Sequence, residues 1–200
     1  MCESEPAAFA PAERASGAVG TRAAGLGWRG DDEAKLIERE IGASKKGAVV
    51  SKHLVFSFDG TGVVGRAILL EKEAPRTCGA VWERLPYAGP AGHAMHSGTI
   101  CALYIDSTIN APVENSSSRV LPGDVVFVHY DAMERHGYPQ ALSEICWAYD
   151  RYVRPMMPGM LKPICPNVFA RLLDSEVFYD MSRRIRREGS KPIRITGESD

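Results

Sequence analysis

Glu144 is the residue whose setting most favours chemistry. It stands within Leu142-Ser143-Glu144-Ile145-Cys146-Trp147-Ala148-Tyr149, part of a run from Ala141 to Tyr149 that reads as a strand. Alternation puts it on the face of Leu142, Cys146 and Ala148. Among such apolar and small groups a carboxylate loses solvation, its pKa rises, and it can serve as a general acid or base near neutral pH. If that face meets solvent instead, Ile145, Trp147 and Tyr149 make the core and Glu144 is an ordinary surface charge.

His93 and His96 can each carry a proton near neutral pH. Three residues apart in an extended segment, they point to opposite sides, and no third ligand has suitable spacing, so no metal site is expected. Tyr104 falls on the His96 face if one strand runs unbroken from His96 through Gly98, Ile100 and Ala102, and its phenol could then orient a carbonyl oxygen. Asp150, Arg151 and Arg154 follow the Glu144 strand at an end where loops hold substrates. Either arginine could grip a carboxylate or phosphate, the alternative being a surface ion pair with Asp150. Met156, Met157 and Met160 form an adaptable apolar wall, with ordinary core filling as the alternative. Glu144, His93, His96 and Tyr104 are thus the catalytic candidates, and Trp147, Tyr149, Arg151, Arg154, Met156 and Met157 the substrate-binding ones. His129 and His136 lack a clear partner, and the apolar flanks of Cys101 and Cys146 mark inert packing.

These side chains need a frame. Residues 1–30, rich in Ala, Gly, Pro and Glu, read as a disordered extension, and residues 31–47 as a short helix with a linker. From residue 48 the period becomes extended. Two β-rich runs around Asp59-Gly60-Thr61-Gly62 make a hairpin, followed by an amphipathic helix from Glu73 to Leu85 with Pro75 in its first turn. Strands are expected over Thr99–Ile105 and Val125–Tyr130, the latter fed by the turn Leu121-Pro122-Gly123-Asp124. The pattern Phe169, Leu172, Leu173, Val177, Met181, Ile185 reads as one long helix capped by Asn167, and Ile193–Thr196 as a final edge strand. The sum is an α+β, mainly β, small antiparallel barrel with two principal helices and a short N-terminal one, occupying residues 48–200.

Composition narrows the partners. The 200 residues carry 24 basic and 25 acidic side chains, so nothing selects a nucleic acid or an anionic membrane. No apolar run is long enough to span a bilayer, and the five cysteines lie far apart without a CxxC pair. Reduced, buried thiols of a cytoplasmic protein are the expectation. The exposed hairpin edge and the final strand offer a pairing route to a homodimer.

Glu73-Ala74-Pro75-Arg76-Thr77, Leu85-Pro86, His93 to Gly98, and Pro122-Gly123-Asp124-Val125 carry a resemblance. The chain from about Val49 to Thr196 resembles the cyclophilin-like DUF3830 family. The arginine and the aromatic and amide residues of the prolyl isomerases have no counterpart here, and fold alone does not transfer function. Cofactor-independent ring-forming enzymes also occur on cyclophilin-like scaffolds, among them cucumopine synthase-like and bacterial β-carboline-forming cyclases. What that kinship implies is a Pictet–Spengler-type cyclase of secondary metabolism. It would join an aromatic, tryptophan-like amine or amino acid to an aldehyde or keto acid by acid–base catalysis, with no metal or organic cofactor. A non-catalytic domain that binds a small molecule, without prolyl isomerase activity, is the alternative.

Overall fold

The computed structural model describes residues 50–105, 109, 111–135, 138–157, 162–173 and 176–200. The expected extension, the short N-terminal helix, His136 and Met160 lie outside the described residues.

Eight strands close into one antiparallel barrel: β1 (Lys52–Phe58), β2 (Val64–Leu69), β3 (Tyr87–His93), β4 (Ile100–Ile105), β5 (Asp124–Tyr130), β6 (Leu142–Ala148), β7 (Asn167–Leu172) and β8 (Lys191–Ser199). Their order around the wall is β1-β2-β7-β5-β6-β4-β3-β8, and β8 returns to β1. Helix α1 (Pro75–Trp82) lies between β2 and β3, and α2 (Glu176–Glu188) between β7 and β8.

The β1–β2 hairpin forms where expected. The Thr61 hydroxyl donates to the Phe58 carbonyl at 2.8 Å and accepts from the Val63 amide at 3.1 Å, closing the turn. Helix α1 has Pro75 in its first turn and no side-chain cap of its own. The Glu114 carboxylate does that work from a distant loop, accepting from the Thr77 amide at 2.5 Å and the Arg76 guanidinium at 3.1 Å.

Three elements differ from the sequence expectation, the first being β3, a strand in a segment without a strand pattern. The amphipathic pattern from Phe169 to Ile185 is two elements: its first part is β7, paired with β2 and β5, and only Glu176–Glu188 is helical. Asn167 therefore caps no helix. Its side-chain amide instead donates to the Thr77 hydroxyl at 3.0 Å and the Pro112 carbonyl at 2.8 Å, tying β7 to α1. The final strand is longer than Ile193–Thr196 and is not an edge, since it pairs with β1 on one side and β3 on the other. The hairpin edge is likewise taken up by β7, so strand pairing between copies loses both of its expected edges.

All eight strands send apolar side chains to one interior cluster, joined by Cys78 and Val81 of α1 and Phe178, Met181 and Ile185 of α2. At its centre the Phe56, Trp147 and Phe178 rings sit with centroids 5.6–5.9 Å apart. The Trp147 indole donates to the Ser182 hydroxyl at 3.0 Å, which donates in turn to the Phe178 carbonyl. Gly65 admits this packing, because a Cβ there would lie 2.7 Å from the Phe178 ring. A second, smaller cluster, including Ile100, Ala102, Val126, Cys146 and Ala148, covers the opposite face of β4, β6 and β5. Cys78, Cys101 and Cys146 are free and buried.

Candidate active site

The opposite face of β4, β6 and β5 carries the site. Register sets Tyr104 beside Glu144 and Glu144 beside Val128, with Ala102, Cys146 and Val126 forming the next row. Because side chains alternate, Ile145 and Trp147 enter the barrel while Glu144 and Cys146 face away from it. That outer face is covered: Glu144 is 6% exposed. Both sequence-based readings of β6 are thus partly met, since its odd-numbered residues make the core and its even-numbered face is still out of solvent.

A cavity of about 290 Å³ lies over this face. Its floor is Ile100, Ala102, Tyr104, Val126, Val128, Tyr130, Glu144 and Cys146 from the three strands. His93, His96 and Ser97 from the end of β3 and the turn after it, Met156, Ile164 and Pro166 from the β6–β7 connection, and Arg135 from the β5–β6 loop also line it. The volume is at the small end for ligand pockets.

Glu144 and Arg135 dominate its electrostatics. Their side chains are 8% and 10% exposed, and Glu144 Oε1 lies 2.9 Å from Arg135 Nη1. The two atoms are close but not aligned for a hydrogen bond, and neither has another hydrogen-bond partner among the described residues. Arg135 Nη2 donates to the Tyr104 hydroxyl at 2.5 Å, and the Cys146 thiol donates to Glu144 Oε2 at 3.6 Å. Burial pushes the Glu144 carboxyl above the usual range, while the Arg135 charge and the Cys146 hydrogen bond pull part of the way back. Burial likewise raises the Tyr104 phenol, helped by the nearby Glu144 charge.

The histidines occupy a different connection from the one expected. β3 ends at His93, a turn follows, and β4 starts only at Ile100, so no strand runs unbroken from His96 to Tyr104. The turn is tight: Gly98 has φ +78°, and a Cβ there would lie 1.9 Å from the Tyr152 carbonyl oxygen. The bend brings both histidines to one cavity, where extended geometry would have parted them. His93 Nε2 lies 2.8 Å from the Tyr149 hydroxyl. Burial lowers the His93 pKa, with the Arg186 charge adding to the effect.

Five sequence-predicted residues line the cavity together: Glu144, His93, His96, Tyr104 and Met156. The other five do not. Trp147 is wholly buried inside the barrel, and Tyr149, at the same strand parity, packs with that core while its hydroxyl meets His93. Arg151 and Arg154 are exposed and outside the cavity lining; their backbones hold the turn, with the Arg154 amide donating to the Ser97 carbonyl at 3.0 Å. Met157 is buried against a neighbouring groove with His129 and Ile164. Arg135 is the cationic residue that sequence reasoning missed, and Tyr130 is the missed aromatic one. Tyr130 was legible, because it alternates with Val126 and Val128 along β5. Arg135 sits in an irregular loop whose sequence has no period to read.

Among the described residues, no group of three or more His, Cys, Asp and Glu side chains could hold a metal ion, and no helix is long and apolar enough to cross a membrane.

A closed antiparallel α+β barrel with a cavity on its outer face is the class that these features define. Residues 56–197, more than half of the chain, match the family described as "Protein of unknown function (DUF3830)", and the chain belongs to that family. Among solved structures it is similar to that of McbB in complex with tryptophan, at 15% identity and a TM-score of 0.49, over 72% of this chain and 44% of that one. It is also similar to the solution structure of the hypothetical protein AF2241 from Archaeoglobus fulgidus, at 19% identity and a TM-score of 0.46, over 76% and 98% of the two chains. The chain thus spans less than half of the McbB chain's length. No curated protein matches it.

Proposed function

We propose that the cavity is the active site of a cofactor-independent cyclase of the Pictet–Spengler type. Its substrates would be an aromatic, tryptophan-like amine or amino acid and an aldehyde or keto acid. The observation that carries this reading is the Glu144 carboxylate, desolvated in an apolar, tyrosine-lined cavity with an unaligned oxygen.

The amine adds to the carbonyl carbon, and loss of water leaves an iminium cation. The electron-rich ring carbon then attacks the iminium carbon, forming the new carbon–carbon bond. Glu144 takes the proton from that ring carbon and restores aromaticity, and the proton released matches the one consumed in expelling water. A carboxylate of raised pKa is the better base for this step, and its charge stabilises the iminium ion that precedes it. The Tyr104 phenol donates to the carbonyl oxygen, His93 and His96 exchange protons with solvent at the cavity side, and Met156 supplies apolar wall.

The contrasting reading, a binding domain that converts nothing, is favoured by the Arg135 contact that already occupies Glu144. Incubating purified protein with tryptamine or tryptophan and a set of aldehydes and keto acids separates the two. A tetrahydro-β-carboline mass accumulating in proportion to protein concentration supports the cyclase, and accumulation at the buffer rate for every pair overturns it.

A further inference from the structure

Arg135 is enclosed in an unusual way. Its guanidinium carbon lies 4.5 Å from the centroid of the Tyr104 ring, 4.5 Å from that of Tyr138 and 5.8 Å from that of Tyr130. With Glu144 these rings make a box: aromatic faces on several sides and a carboxylate at the floor. Faces and a carboxylate together are what selects an organic cation, since each ring offers its negative face and the carboxylate neutralises the charge.

The occupant fits the rings and donates to the Tyr104 hydroxyl, but it is poorly aligned to the carboxylate. A buried arginine normally meets a carboxylate as a fork, with two parallel hydrogen bonds. Here one nitrogen approaches one oxygen at 2.9 Å without alignment, and both atoms are left buried and unpartnered among the described residues. Among the described residues the remaining oxygen, Oε2, takes only a thiol at 3.6 Å. Arg135 arrives from a loop whose side chains Met133 and Tyr138 are 75% and 42% exposed, and what holds it is the three rings and its bond to the Tyr104 hydroxyl, contacts that a second cation can make in its place. Tyr104 and Tyr138, themselves 6.3 Å apart, stand at the open side with 40% and 42% exposure.

We propose that this box is a seat for an organic cation, the ammonium or iminium form of an aromatic amine, and that Arg135 is a resident stand-in which the ligand cation displaces. The inference rests on the reading that the cavity accepts an amine, and it adds the chemical class that the cavity selects and a device that keeps it closed when empty. The guanidinium masks the carboxylate until a cation with better alignment to Glu144 Oε1 and an aromatic body for the apolar floor takes its place.

The direct test needs no variant in the titration itself. The side-chain Nε proton of Arg135 in the full chain, assigned by its absence from the spectrum of Arg135→Lys, is shifted upfield by the flanking rings. Saturation with tryptamine is expected to move it to the position of a solvent-exposed arginine. A resonance that stays shielded while tryptamine binds overturns the displacement, and so does a failure of tryptamine to bind. A second arm compares tryptamine, neutral 3-ethylindole and anionic indole-3-propionate on wild type and Arg135→Met. If the guanidinium is seated in roughly nine molecules of ten, its removal tightens tryptamine roughly tenfold and leaves the other two unchanged. Equal tightening of all three means only added space, and loss of indole-3-propionate without gain for tryptamine means an anion anchor; both overturn the proposal. Displacement without any cyclised product would leave this inference standing and remove the cyclase. Product formed with the arginine resonance unmoved would do the reverse.

Discussion

Glu144→Gln is the substitution on which the proposed chemistry turns. It keeps the volume and one carbonyl-type oxygen but removes the negative charge and the basic site. In the structure Glu144 Oε1 faces Arg135 Nη1 at 2.9 Å, so the amide oxygen can still lie against the guanidinium and the loss is that of charge assistance, not of the contact. Arg135 also keeps its bond to the Tyr104 hydroxyl and its place among the rings. Burial disfavours that charge in the folded state, so its removal offsets the lost charge assistance and the net change stays within about 1 kcal/mol, which for a chain of this size moves Tm by no more than about 4 °C. Catalysis should suffer far more. A positioned base contributes about 10²–10⁴ in rate, equivalent to about 3–5 kcal/mol of barrier. Product formation followed by mass spectrometry, beside a thermal melt by circular dichroism, reads the two effects separately. A folded Glu144→Gln protein turning over within about twofold of wild type would refute the assignment of Glu144 as the base, since even the weakest general base is worth more than that.

Because burial raises the Glu144 pKa, the ionised base should appear only above the ordinary glutamate value near 4.3, so kcat/KM rises along an acid limb displaced upward from it. Glu144→Gln should abolish that limb. The same shift makes the protonated carboxyl the form that favours folding: its contribution is full below about 4.3 and is lost as pH rises through the higher folded value, which denaturation at several pH values checks. Trp147→Phe should cost about 1–3 kcal/mol through the emptied core and the lost bond to Ser182. Its activity per folded molecule should stay at the wild-type level, because Trp147 lies outside the cavity; a changed KM would show otherwise. Gly98→Ala should cost about 2 kcal/mol or more in urea denaturation, since its Cβ meets the Tyr152 carbonyl at a backbone angle that alanine disfavours.

How much of this was legible differs from element to element. The β1–β2 hairpin, α1, β4, β5 and β6 announce themselves through alternation, turn residues and a proline at a helix start. The face of Glu144 follows from parity alone, and the same parity separates Trp147 and Tyr149 from it. β3 carries no such signal: Tyr-Ala-Gly-Pro-Ala-Gly-His has no β-branched residue, and its conformation comes from pairing with β4 and β8. β7 imitates a helix because Phe169 and Leu172 happen to fall at helical spacing, while pairing on both sides makes it a strand. The site was visible as a carboxylate on an apolar strand and as histidines near a glycine. Arg135 was not, because its place beside Glu144 and Tyr104 is a tertiary contact that no periodic pattern in its own segment announces.

The measurement that bears most directly on the cyclase is the enantiomeric composition of the tetrahydro-β-carboline formed from tryptamine and a prochiral aldehyde, with wild-type protein and with buffer. On the proposed reading the cavity would hold ring, iminium and Glu144 in one arrangement and expose one face of the iminium carbon to attack, so one enantiomer in clear excess is the predicted result. Racemic product, formed no faster than in buffer, would contradict it.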